Sequence, residues 1–116
     1  MNKNSGENEH REHRKRLKAQ FFETKGEEMS DYTLLEYLLY YAVPQGDTNP
    51  TAHRLIETFG SLDKVLEARV EDLAQVKGMG EHSALYLSSF LPVLKRYRRI
   101  KAGDNFDFIY VRIATA

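Results

Sequence analysis

The sequence contains no cysteine, no long apolar run and no net charge. Without cysteine there is neither a disulfide framework nor thiolate chemistry. No apolar run approaches about 18 residues, so the sequence predicts no membrane span. The polar, charged segment 1–16 is followed by no apolar core, which argues against a secretory signal. These absences predict a cytoplasmic protein.

The positive charge is concentrated in two short runs, although the whole chain is neutral. Residues 11–18 carry +4, residues 95–101 carry +5, and the intervening 19–94 carry −7. The basic residues of the two runs are Arg11, Arg14, Lys15, Arg16, Lys18, Lys95, Arg96, Arg98, Arg99 and Lys101. If the fold brings the runs together, they form an auxiliary basic surface for nucleic acid. The alternative is that each run is the solvated face of a helix.

The chain has the size and composition of one globular domain, with 116 residues of which 41% are hydrophobic and 29% charged. Apolar residues recur at helical spacing, which predicts an all-α, compact domain over 10–100 with a basic N-terminal helix. We expect disorder in residues 1–9 and a linker or extended tail with strand character in 101–116.

The predicted helices cover 10–22, 32–43, 50–59, a short segment after Ser61, 70–76, and 81 to about 98. Asn49 is the expected N-cap of the third helix, with Pro50 at its first position, and Gly60 is expected to end it. Pro92 should kink or stop the last helix. In that helix the residues expected to be buried are Ala84, Leu85, Leu87, Leu91 and Leu94. The tyrosines of 32–41 are interpreted as packing residues.

The strongest motif is Val76-Lys77-Gly78-Met79-Gly80-Glu81, between two short apolar helices. Both glycines permit a positive φ and a tight hairpin, and Met79 is expected to plug back into the core. The backbone N–H groups from Gly78 to Glu81 should then be unpaired at a helix N-terminus, where the helix dipole favours an anion. Because glycine has no side chain, a DNA phosphate can approach these N–H groups, and Lys77 adds a positive charge.

The segment 32–59 repeats this arrangement more weakly, which predicts tandem helix–hairpin–helix-like pairs. Its turn, 44–49, has one glycine and carries Asp47, so we expect it to be mainly a packing partner. The alternative for the main hairpin is a plain helix–helix corner, and Glu81 is mildly unfavourable for an anion.

Several blocks of the sequence resemble one bacterial family. They are His13-Arg14-Lys15-Arg16-Leu17, Ser30-Asp31-Tyr32-x-Leu34-Leu35-Glu36-x-Leu38-Leu39, Asp47-Thr48-x-Pro50-x-Ala52, Phe59-Gly60-Ser61-Leu62 and Val76-Lys77-Gly78-Met79-Gly80. Together they resemble the N-terminal domain of RadC-like DNA repair proteins over about residues 10–99. The resemblance implies a helix–hairpin–helix fold, non-sequence-specific DNA binding and a role in DNA repair. It would also imply a C-terminal JAB-type zinc domain, but the required H-x-H does not occur in this sequence.

Enzyme chemistry finds little support in the sequence. No serine has a base at activating spacing, no carboxylate pair lies in an apolar setting, and the four histidines lack metal-ligand spacing. We therefore expect no catalytic residue, no metal and no cofactor. The expected partner is duplex or branched DNA, held through phosphates at Lys77, Gly78, Met79, Gly80 and Glu81. Two alternatives stay open: a protein-interaction or tethering module, and DNA binding by the basic runs alone.

Overall fold

In the computed structural model, residues 4–44 and 46–103 are described, and all their regular secondary structure is helical. The helices are α1 Asn4–Thr24, α2 Asp31–Leu39, α3 Asn49–Phe59, α4 Leu62–Glu67, α5 Val70–Leu73, α6 Glu81–Ser88 and α7 Phe90–Ala102. The all-α fold class is confirmed. None of these helices is long and apolar enough to cross a bilayer. The strand character predicted for the tail concerns 104–116, which lie outside the described residues.

The N-terminal helix is longer than the sequence predicts. α1 begins at Asn4, so residues 4–9, for which the sequence predicts disorder, extend the helix by about two turns. Adding a residue to an existing helix costs far less than nucleating one, so a polar segment can continue it. The buried residue of α1 is Leu17, which packs with Met29 and Tyr40 in a small second core.

The main core lies between α2, α3, α4, α5 and α6. Its fully buried leucines are Leu35, Leu39, Leu55, Leu73 and Leu87. α2 is fixed at its start by Ser30, whose hydroxyl accepts the N–H of Thr33. It ends at Leu39, four residues before the predicted end at Val43.

The start of α3 differs from the prediction. Thr48, not Asn49, is the N-cap, because the side chain of Asn49 donates instead to Oε1 of Glu36 at 3.1 Å. Pro50 is therefore the second residue of the helix, one position later than predicted, and Gly60 ends the helix at φ +105°, as predicted. α5 is shorter than predicted and ends at Leu73 rather than Val76.

The long last helix is divided into α6 and α7. The break lies at Ser89, and Pro92 falls in the first turn of α7, where a missing N–H costs little. α7 has no buried residue, although Leu91 and Leu94 keep the helical spacing that extends from the buried Leu87. The predicted burial is wrong for three residues: Leu85 in α6, and Leu91 and Leu94 in α7, are 50%, 37% and 42% exposed.

Candidate nucleic-acid interface

The hairpin between α5 and α6 forms as the sequence predicts. Leu73, Ala84 and Leu87 are fully buried between the two helices and the core. Val76 and Met79 are partly buried and pack against the same core, so Met79 plugs inward as expected. This packing fixes the loop 77–80 on the surface.

The two glycines of the loop have different roles. Gly78 has φ +96°, and a Cβ built on it would overlap Oγ1 of Thr51 and lie 3.1 Å from the Thr51 Cβ. Gly78 thus lets the loop approach α3 closely. Gly80 is the extended N-cap of α6 with φ −136°, and no atom lies within 4 Å of a Cβ built there. The expected positive φ is wrong for Gly80.

The loop uses two of the N–H groups that the sequence predicts to be free. The N–H of Met79 donates to the carbonyl of Val76 at 2.9 Å, and that of Gly80 donates to Oγ of Ser83 at 2.9 Å. Both bonds arise because the tight turn and the buried Ser83 satisfy donors locally.

Several N–H groups in and beside the loop have no acceptor. Within the described residues, those of Gly78, Glu81 and His82 have no hydrogen-bond acceptor, and all three residues are exposed. Glu81 and His82 occupy the first turn of α6, so their N–H groups lie at the positive end of its dipole. The candidate anion site is therefore smaller than predicted and centred on the start of α6.

A second cation adjoins the loop. The side chain of Arg54, on α3, donates from Nη1 to the carbonyl of Lys77 at 3.3 Å, and Lys77 itself is exposed. Sequence reasoning missed Arg54 because it precedes the loop by 23 residues. Arg54 follows Thr51 by three positions and so shares its helix face, but only the structure shows that Thr51 contacts Gly78, so the sequence carries no signal for Arg54.

One acid also borders the site. Glu81 is exposed at the first position of α6, and no cation pairs with its carboxylate in the part of the chain that the structure describes. Its charge suits the helix dipole but opposes a bound anion. A phosphate therefore binds here only if its attraction to Lys77 and Arg54 exceeds its repulsion by the Glu81 carboxylate.

The basic run of α1 is only partly available to a ligand. Arg14 donates to the carbonyls of Val43 at 2.7 Å and Gly46 at 3.0 Å, so it holds the loop after α2. Its guanidinium also lies 4.6 Å from the ring centre of Tyr40. Arg14 thus has a structural role, and its auxiliary role in DNA binding stays a prediction.

The other cations of α1 are on the surface. Lys15 forms an exposed ion pair with Glu12 at 3.5 Å, and Arg16 approaches Nδ1 of His13 at 3.5 Å. Lys18 lies over the ring of Tyr41, and Arg11 is exposed beside an open groove.

The second basic run lies along α7, where Lys95, Arg96, Arg98 and Arg99 are all exposed. α1 packs mainly on α2, whereas α7 packs mainly on α6 and α4. The principal contacts of the two helices therefore do not place the two runs side by side, as a single basic surface would need.

The first hairpin, between α2 and α3, is a packing element as predicted. α2 and α3 form the most extensive helix pair among the described residues. At the start of α3 the N–H of Asn49 already donates to Oδ1 of Asp47 at 3.0 Å. An acidic side chain thus occupies the place where an anion would bind.

Two curated bacterial proteins are similar to part of this chain. A UPF0758 protein of Ruegeria pomeroyi is 46% identical over 71 residues, which cover 61% of this chain and 32% of the relative. The chain is similar to UPF0758 proteins. A second one, from Fusobacterium nucleatum, is 36% identical over 81 residues, or 70% of this chain and 35% of the relative. The chain thus spans about a third of the length of these curated relatives. No family model and no solved structure matches it.

Proposed function

We propose that this chain is a non-sequence-specific DNA-binding module that holds duplex backbone phosphates at the α5–α6 hairpin. The observation that carries the proposal is the pair of unpaired N–H groups of Glu81 and His82, two exposed residues, beside Lys77 and Arg54. Helix N-termini with free N–H groups bind phosphate through hydrogen bonds and the helix dipole. The motifs that resemble the N-terminal domain of RadC-like DNA repair proteins favour a role in DNA repair.

Binding of this kind reads the backbone and carries no sequence preference. A single small module should have a dissociation constant of about 10⁻⁴ to 10⁻⁶ M at physiological salt, typical of non-specific binding. Since the chain as a whole is neutral, the affinity depends on local cations and should fall steeply as salt rises.

Lys77→Ala and Arg54→Ala are expected to weaken duplex binding and to flatten its salt dependence. Each lost phosphate contact should reduce the slope of log K against log salt by about 0.9. Fluorescence anisotropy with a labelled duplex, titrated at several salt concentrations, measures both quantities. Lys64→Ala, which removes an exposed lysine of α4, is the control and should leave the slope unchanged.

Two outcomes of this titration would count against the hairpin. The first is that Lys77→Ala and Arg54→Ala bind the duplex with the same affinity and the same salt dependence as Lys64→Ala. The second is that Arg96→Ala, on α7, weakens binding while the hairpin variants do not, which would assign DNA binding to the basic run alone.

A protein-interaction or tethering role is the second candidate function, and α7 is the observation that favours it. Val93, Tyr97 and Ile100 are 66%, 59% and 67% exposed on this helix. Such an apolar surface on a small domain often marks a protein contact. If the wild-type chain shifts no duplex even at low salt, the DNA-binding proposal fails and this candidate takes its place.

A further inference from the structure

Cationic and aromatic side chains share one exposed face of α1. Arg11, Lys15, Lys18 and Phe22 follow one another at intervals of four, three and four residues, which places them on the same side of the helix. All four are exposed, and Phe22 is 75% exposed. We call these four residues the α1 stripe. Over 11 residues of helical rise it is about 16 Å long.

A second exposed aromatic ring adjoins the stripe. The Nζ atom of Lys18 lies 5.2 Å from the ring centre of Tyr41, which is 55% exposed. Tyr37 packs against Tyr41: their hydroxyls are 3.2 Å apart and their rings meet edge to face. Tyr37 in turn stacks on Phe21 at 4.4 Å. The interpretation of this tyrosine as a packing residue is therefore incomplete, because a supported ring faces solvent.

We propose that the α1 stripe and Tyr41 bind single-stranded nucleic acid. Phosphates would lie along Arg11, Lys15 and Lys18, and unpaired bases would stack on Phe22 and Tyr41. Single-stranded nucleic acid presents both features at once, a line of negative charge and free aromatic faces. In an intact duplex the base faces are already stacked on one another, so the surface selects unpaired strands.

The charges on the surface favour this ligand over the alternatives. No carboxylate lies within ion-pair distance of Arg11 or Lys18 among the described residues, and the Lys15–Glu12 pair is exposed and therefore weak. A second copy docked through the same face would bring two sets of cations together, which is unfavourable. A cation over a ring can also move to a phosphate at little cost, because exposed cation–π contacts are worth only about 0.5–1 kcal/mol.

The test compares a dT oligomer of about 12 nucleotides with a duplex of the same length, both at low salt. Phe22→Ala and Tyr41→Ala should each weaken binding of the dT oligomer by about fivefold or more, since a stacked base is worth about 1–3 kcal/mol. Phe22→Trp should retain or strengthen binding. The control is Tyr97→Ala, which removes an exposed aromatic ring on α7 and should have no effect.

The measurements with the duplex distinguish this proposal from the proposal that the α5–α6 hairpin binds duplex phosphates. Phe22→Ala should leave duplex binding unchanged, whereas Gly80→Asp should weaken duplex binding and spare the dT oligomer. Binding of the oligomer alone, lost in Phe22→Ala, would support the stripe even if the hairpin binds nothing. The inference is overturned if the wild-type chain does not bind the oligomer, or if Phe22→Ala and Tyr41→Ala bind it as well as Tyr97→Ala does.

Discussion

Gly78→Ala is expected to lower the free energy of unfolding by about 3 kcal/mol. An alanine in the left-handed backbone region costs about 1–2 kcal/mol, and overpacking against a neighbouring side chain costs about 1–3 kcal/mol. The backbone at Gly78 has φ +96°, and the new Cβ would overlap Oγ1 of Thr51 and crowd its Cγ2 at 3.2 Å. Thermal unfolding followed by circular dichroism should show a fall in Tm of roughly 12 °C or more.

A double-mutant cycle separates the two causes. Thr51→Ala removes Oγ1 and Cγ2, so the Gly78→Ala/Thr51→Ala pair should be less destabilised than the sum of the single variants by about 1 kcal/mol or more. Gly80→Ala is the matched control in the same loop, because a Cβ there meets nothing within 4 Å and φ is negative. Additive effects, or equal stability of the two alanine variants, would contradict the close approach of the loop to α3.

Glu36→Ala should destabilise the fold by a similar amount, about 3 kcal/mol. Glu36 is 2% exposed, and its carboxylate joins three helices. Oε2 accepts from His13 at 2.9 Å and Tyr40 at 3.1 Å, and Oε1 accepts from Asn49 at 3.1 Å. Removing the carboxylate would leave these donors without their acceptor at the junction of α1, α2 and α3. Chemical denaturation measures the loss.

The destabilisation expected for Glu36→Ala arises from the burial of the carboxylate and not from its charge alone. Burial and the neighbouring Glu36 also raise the pKa of Tyr40 well above its usual value, so Tyr40 stays protonated and donates to Glu36 at any ordinary pH. The control is Glu57→Ala, an exposed glutamate of α3, which should change stability by no more than about 0.5 kcal/mol. Equal stability of the two variants would refute the network.

Most of the fold could be predicted from local sequence signals. Pro50 and Gly60 indicate the ends of α3 through backbone chemistry that acts within a few residues, and the structure places Pro50 in the first turn and Gly60 at the end of that helix. The exposure of α7 could not be predicted in this way. Helical spacing shows that Leu91 and Leu94 share an apolar face, but not whether another element covers that face. That depends on tertiary packing, and among the described residues α7 has none that is buried.

The candidate site was predictable in outline but not in detail. The glycine pair, the inward Met79 and the helix start follow from the motif. The motif does not show which N–H groups stay free. In the structure the N–H of Met79 donates to a carbonyl within the turn, and the N–H of Gly80 donates to the hydroxyl of the buried Ser83. Arg54 reaches the loop through a tertiary contact that no spacing rule across 23 residues expresses.

The most direct test of phosphate binding by the hairpin is the duplex affinity of Gly80→Asp relative to Gly80→Ala, measured at low salt. Aspartate is a favoured N-cap residue, so the fold should be retained, yet its carboxylate would compete for the N–H groups at the start of α6 and repel a phosphate. We expect Gly80→Asp to bind duplex DNA at least about tenfold more weakly than Gly80→Ala. Gly80→Asn, which caps the helix without charge, should fall between them. Equal affinity of the aspartate and alanine variants would contradict phosphate binding at this hairpin.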